Sequence, residues 1–249
     1  MVGAPAAAAA VEMAHRLPGL AIGLHLALVD AEPVLPAPAV PDLVDARGRF
    51  RASMARSAAA MFFLPRVRRQ MLAEVRAQFE AFRATGLTLD HVTAHKHVHL
   101  HPSILSAILE LAKEFGAPAV RAPLEPWAIL ARIDSARPGL AASALAPLAR
   151  LQRARLKRAG VATPDQVFGL AWSGAMTHSR LAGLIAHLPE GVTEIYTHPA
   201  TSSAFAGAAP GYRYEEEFAA LTSPYLRRLI AATGVASGGF SNAVNFQRQ

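Results

Sequence analysis

His91-Val-Thr-Ala-His95-Lys-His97-Val-His99-Leu-His101-Pro102 holds five of the chain's ten histidines within eleven residues. It continues a strand-like run, Leu87 to Ala94, and leads into a helix that Pro102 opens at a position where proline is tolerated. A neutral imidazole offers a nitrogen lone pair to a metal or a proton to a substrate, and it titrates near physiological pH. In an extended segment the two-residue side-chain period places His95, His97, His99 and His101 on one face, with Lys96, Val98 and Leu100 on the other. The stretch thus reads as a row of ligand candidates at the end of a strand. Its position in mid-chain argues against an expression tag.

On either side of this stretch the same alternation of strand and helix recurs. Upstream, Leu20 to Val29 is a near-continuous apolar run of strand length containing His25, preceded by a helix over Ala4 to Leu17. A lone histidine in such a run is more often a hydrogen-bonded core residue than a ligand, unless other ligands converge on it. Four prolines within Pro33 to Pro41 mark a loop, and Pro65 to Thr85 reads as an amphipathic helix burying Val67, Met71, Val75, Phe79 and Phe82 before Gly86 stops it. Downstream, Ile104, Ile108, Leu111 and Phe115 form the inner stripe of the helix that ends at Gly116. A short strand over Ala117 to Pro123 comes next, where Arg121 is a candidate for a substrate hydroxyl or carboxylate and equally for a structural ion pair. Val167 to Trp172 and Val192 to Thr197 read as strands around a helix, Thr177 to Leu188, and one or two helices cover Glu215 to Thr233. Such alternation predicts an α/β fold with a parallel sheet, open or closed into a barrel.

The totals narrow the function. At 249 residues and 52% hydrophobic, the chain supports one substantial core, read as a single domain over 1–249. It has no cysteine, which excludes disulfides, thiolate metal sites and cysteine nucleophiles and leaves histidine and carboxylate as ligands. No apolar run is long enough to span a bilayer, and the alanine-rich start lacks a basic leader, so a cytoplasmic protein is expected, peripheral at the inner membrane. The net charge of +7 comes largely from arginine, concentrated at 66–76 and 150–158. Solvated helix faces, an anionic membrane surface and nucleic acid all account for such charge; no nucleic-acid motif or aromatic-basic alternation supports the last. Residues 127–161 alternate apolar and basic side chains and read as a helical insertion, packed on its own domain or facing a membrane.

Chemically, His25, the 95–99 histidines and His198 lie in or just after different strands, and a parallel sheet or barrel gathers such ends at one rim. Two histidines and a carboxylate are a usual hydrolytic metal site with one position open for water. A further histidine can protonate the leaving group. The carboxylate is missing from this pattern: six aspartates exist, and Asp90 stands at an odd spacing from His95, on the opposite face of an extended strand.

The motifs Gly23-Leu-His25-Leu26 and His95-Lys-His97-Val-His99, together with Pro41 to Phe50, Thr197-His198-Pro199-Ala200 and the closing Asn245-Phe246, resemble the YdjC-like carbohydrate deacetylases. Within that family the chain is most similar to the HpnK branch, associated with hopanoid biosynthesis. The resemblance implies a distorted parallel β/α-barrel of the glycoside hydrolase/deacetylase type. It implies metal-dependent removal of an acetyl group from an N-acetylated amino sugar, here an N-acetylglucosaminyl hopanoid lipid. Carried over by motif, His25 and His95 are the ligands of a divalent metal, magnesium or zinc, and His97 and His99 line the substrate site. His198 matches the position of a general acid. Family members begin with a strand running into Asp-Asp-Phe-Gly, which supplies a metal ligand and the base; this sequence has no Asp-Asp pair. The first strand is therefore expected to be missing from this chain, which as written is expected to be inactive and poorly stable. The alternative to an enzyme is a non-catalytic sugar-lipid or metal-binding relative.

Overall fold

A computed structural model describes residues 1–134 and 140–242, with the side chains of 140–144 outside the description. The closing Asn245-Phe246 and Arg137 of the insertion lie outside the described residues. The fold is mixed α/β with parallel strand pairs, and the chain divides into two compact units: Met1–Arg121, Leu151–Thr163 and Gly238–Gln249 form the first, Ala122–Arg150 and Pro164–Ser237 the second.

In the first unit, α1 (Ala7–Arg16) precedes β1 (Leu24–Leu26), which pairs in parallel with β2 (Val92–Ala94). Parallel bridges from Val92 to Val120 and from Ala119 to Ala162 carry the pairing further. Three helices pack beside this sheet: α2 (Met54–Phe63), α3 (Pro65–Ala84) and α4 (Pro102–Phe115). The stripes read from the sequence are the ones buried. Val67, Met71, Val75, Phe79 and Phe82 face inward on α3, as do Ile104, Ile108 and Leu111 on α4. Gly86 and Gly116, at φ 74 and 69, end their helices in the left-handed region that a glycine enters without a Cβ penalty.

Each strand is much shorter than its apolar run, three residues where eight to ten were expected from Leu20–Val29 and Leu87–Ala94. Past β1 the run stays buried through Val29 without a ladder, because side chains of α3 satisfy backbone there and in the loop that follows. Gln78 Nε2 donates to Ala27 O at 2.7 Å while its Oε1 accepts from Ala27 N at 3.0 Å. Glu74, fully buried one turn earlier, accepts from Val34 N and Leu35 N at 2.9 and 3.0 Å and from Gln78. Gln70, a further turn back, accepts from Asp42 N at 2.9 Å. Residues four apart share a helix face, so Gln70, Glu74 and Gln78 form one polar edge that fixes the proline-rich loop after β1.

The second unit contains α5 (Trp127–Asp134), the start of α6 (Leu140–Arg158), β3 (Gln166–Phe168), α7 (His178–Ala186), β4 (Thr193–Ile195), α8 (Tyr214–Leu221) and α9 (Pro224–Thr233). β3 and β4 pair in parallel, with Val167 opposite Glu194. Its core gathers Leu130, Phe168, Trp172, Met176, Leu181, Leu184, Ile185, Ala220 and Leu226. Ser223 caps α9 and Pro224 occupies its first position, so the 215–233 stretch forms two helices, one of the two readings its sequence left open. Within 127–161 the described residues Trp127–Asp134 and Leu140–Arg158 are helical. Leu130 and Leu156 are both fully buried, so these apolar positions serve packing.

Replacing Gln78 by alanine leaves the Ala27 N–H and C=O unsatisfied in the interior. The expected cost is about 2–4 kcal/mol, read as a lower urea midpoint with an unchanged m-value.

Candidate functional site

The parallel register sets the site. His25 on β1 stands opposite Thr93 on β2, and Thr93 Oγ1 bonds His25 Nδ1 at 2.8 Å. His95 lies two residues after Thr93, hence on the same face, and its ring meets that of His25 edge-on with centroids 5.9 Å apart. With Nδ1 engaged, the other nitrogen of His25 is the one available to a ligand, the arrangement usual for metal-binding imidazoles.

Beyond Ala94 the extended reading fails. Residues 95–100 form two tight 3₁₀ turns across a kink, with Lys96 at φ 49 and His97 at φ 53. The four histidines therefore do not share the flat face that alternation predicts. Left-handed geometry at two successive side-chain-bearing residues costs about 1–2 kcal/mol each. It persists because Lys96 Nζ bonds Asp30 Oδ2 at 2.7 Å, and Asp30 itself sits at φ 50. The Lys96 hydrogen bond, with His95 adding to it, holds the Asp30 carboxyl below its usual range despite some desolvation. Occupied by Lys96, Asp30 does not complete a ligand set.

The kink separates the roles of the histidines. His99 is fully buried; its Nε2 donates to Arg121 O at 2.9 Å, and Gln152 Nε2 donates to His99 O at 3.2 Å. The His97 ring lies 5.9 Å from that of His99. His101 caps α4, Nδ1 accepting from Ser103 N at 3.3 Å, a structural duty. His91 is also structural. Its ring stacks on Phe240 at 4.3 Å, and a Cβ at Gly23 would sit 2.4 Å from its Nε2. The glycine of the Gly23-Leu-His-Leu motif is thus what admits His91 against β1. Asp90, opposite in face to His95 as its spacing indicated, accepts from Phe240 N and Ser241 N at 3.0 and 2.9 Å and pairs with His91. It anchors residues 240–242. Burial works against its charge, and these hydrogen bonds outweigh it to lower its pKa.

Burial, reinforced by the Met1 amino group, His95, Arg121 and His97, pushes the His25 pKa down to about 2. Burial and His97 lower that of His99 to about 3, against the opposing hydrogen bond to the Arg121 carbonyl. Both are therefore neutral at physiological pH, the form that donates a lone pair. Arg121 is buried beside this cluster, its N–H bonding Val92 O at 3.1 Å. Two imidazoles fit the histidine part of a divalent metal site. Among the described residues no group of three His, Cys, Asp or Glu side chains is placed to hold a metal.

His198 lies in the second unit, just after β4. Its backbone N–H donates to the Glu217 carboxylate, whose other oxygen accepts from Met176 N at 2.8 Å. Tyr196 and Tyr212 flank the ring at 5.7 and 5.2 Å, and Tyr212 bonds Ser173 at 2.9 Å. Sequence reasoning missed Glu217, Tyr212 and Thr93. For Thr93 the signal was present, since a hydroxyl two residues before His95 shares its face.

A mixed α/β chain with one histidine on a parallel strand and a second just past the end of the neighbouring strand is the class of protein so defined. The chain belongs to the YdjC-like protein family, whose model matches residues 1–232. It is 30% identical over 239 residues to a carbohydrate deacetylase of Geobacillus stearothermophilus, covering 94% of this chain and 81% of that one. It is 26% identical over 254 residues to a carbohydrate deacetylase of Vibrio parahaemolyticus, with 98% and 84% covered. A carbohydrate deacetylase of Brevibacillus brevis is 41% identical over 114 residues, 46% of this chain and 42% of that relative, so the match spans less than half its length. A solved structure from Enterococcus faecalis V583, provisionally described as a cellobiose-phosphate cleavage protein, shares the fold. The TM-score is 0.67 at 24% identity, over 97% of this chain and 85% of that one.

The two depressed histidine pKa values give a signed expectation for the protein without added metal. The unfolded chain binds their protons below about pH 6.5, whereas the folded state excludes them to far lower pH. Their contribution to stability is complete above that value and is lost as pH falls towards about 3, at up to about 1.4 kcal/mol per pH unit for each histidine. Urea unfolding between about pH 6.5 and 4.5 checks this, and His25→Asn should remove about half of that component of the slope.

Proposed function

We propose that the protein is a metal-dependent hydrolase that removes the acetyl group from an N-acetylated amino sugar, with N-acetylglucosamine carried on a hopanoid lipid as substrate. The observation that carries this reading is the facing pair His25, on β1, and His95, at the residue that follows β2, in a chain matched over 1–232 by the YdjC-like family. Relatives named carbohydrate deacetylases support the reaction class. The motif resemblance supports the lipid-borne sugar and a distorted β/α-barrel of the deacetylase type.

His25 and His95 would hold a divalent ion, magnesium or zinc, with a third ligand from outside the described set. Such an ion, when bound, polarises the amide carbonyl and brings the pKa of water towards about 7. The chain's own residues prepare for this. Thr93 orients the His25 ring, burial keeps it neutral, and the Lys96–Asp30 pair pins the strained turn that aims His95. His97 and the Arg121 guanidinium are assigned to the sugar, with the buried His99 supporting both, and His198 to protonation of the departing amine. A second reading, a non-catalytic sugar-lipid or metal-binding relative, draws on the lack of a third ligand among the described residues and of an Asp-Asp pair in the sequence.

Acetate release from an N-acetylglucosaminyl lipid in the presence of magnesium or zinc tests the proposal. His25→Ala and His95→Ala should each abolish release, and Thr93→Val should lower it about 10–100-fold through the loosened His25 ring. Release indifferent to both histidines would overturn the site. Substrate and metal binding without acetate release would establish the second reading.

A further inference from the structure

The corner between α2 and α3 exposes three consecutive large apolar residues: Phe62 at 51%, Phe63 at 74% and Leu64 at 52%. Leu64 is extended, at φ −104 and ψ 109, and Pro65 starts the next helix, so the chain turns sharply and projects these side chains outward. Met61 alone of this run is buried. The Phe62 and Phe63 rings pack edge-on at 5.0 Å, forming one apolar knuckle, and Met54 and Leu72 are exposed on the flanking helices.

The surrounding charge is predominantly positive. From Ala46 to Ala73 the sequence contains no aspartate or glutamate, and Arg51, Arg56, Arg66, Arg68 and Arg69 are all exposed. Arg66 pairs with Asp42 at 2.8 Å. An apolar tip in an arginine collar is the composition of a surface that sinks rings and leucine below lipid headgroups while its guanidinium groups meet their phosphates. A second copy of the chain fits poorly, because a two-fold contact through this patch sets arginines against arginines.

We propose that the Phe62-Phe63-Leu64 corner, collared by Arg56, Arg66, Arg68 and Arg69, seats the first unit on an anionic bilayer surface. Phe62 meets the ring of His101, the α4 cap, at 5.8 Å, but the corner includes neither His25 nor His95, and its test reads no acetate, so either proposal can fail alone.

The test is co-sedimentation of the full chain with vesicles of phosphatidylcholine alone or mixed with phosphatidylglycerol. Binding is expected to the anionic vesicles and to weaken with salt. Phe63→Ser combined with Leu64→Ser should lower the partition coefficient at least about tenfold, and Arg68→Glu with Arg69→Glu by more than about tenfold. Leu221→Ser, exposed on α8, should leave it unchanged. Circular dichroism of each variant establishes that it is folded. No binding by the unaltered chain, or equal binding by the folded corner variants, would overturn the proposal. Self-association, or binding to single-stranded RNA, that the same substitutions abolish while vesicles are ignored would reassign the corner to a protein or nucleic-acid partner.

Discussion

The arrangement of the candidate site depends on three residues of parallel pairing between Leu24–Leu26 and Val92–Ala94. Register is unforgiving, since a slip of one residue turns every side chain to the opposite face. In the observed register His25 falls opposite Thr93, and the pleat then brings His95 to the same side. One hydrogen bond fixes the orientation of one imidazole, and two residues of strand period deliver the other. Past Ala94 the backbone departs from regular structure, and the cost of that departure is localised in Lys96, His97 and Asp30, joined by an ion pair.

So short a ladder holds register because the polar edge of α3 supplies what extra strand length would otherwise provide. Gln78 bonds both backbone groups of Ala27 almost as a neighbouring strand would, and Glu74 accepts from two backbone N–H groups of the loop beyond. On the other flank, Gly23 gives the His91 ring room, and Asp90 holds residues 240–242 beneath it. Site geometry in this unit is therefore set by helix side chains and by a returning segment as much as by the sheet.

Much of this was legible in the sequence. The apolar stripes of α3 and α4, the glycine stops at Gly86 and Gly116 and the alternation of helix with strand are all consequences of periodicity, because burial of one face is a local demand on the sequence. The pairing of His25 with His95 was reached only through motif resemblance, since contacts 70 residues apart leave no local periodic signal. The Gln70-Glu74-Gln78 edge has no distinguishing mark in the sequence, because polar residues at helical spacing carry the same pattern whether they meet water or backbone. The flat histidine row failed because an ion pair far apart in sequence sustains left-handed backbone at Lys96 and His97. Glu217 was invisible for a similar reason: its partners are backbone N–H groups, which have no residue identity to read.

The discontinuity of the first unit bears on how the molecule comes to be folded. Its polypeptide leaves after Arg121, returns for Leu151–Thr163 and returns again at Gly238. The Asp90 carboxylate meets Phe240 and Ser241 across about 150 positions of sequence. Closing so long a loop is entropically unfavourable and slow relative to local helix formation. During synthesis the second unit's residues 164–237 leave the ribosome before the last segment of the first, so the second unit can be complete while Asp90 still lacks its partners. The nascent chain thus passes through a stage in which α3 and α4 can form while the His91–Phe240 stack cannot, so the flank of β2 at Asp90 and His91 is completed late.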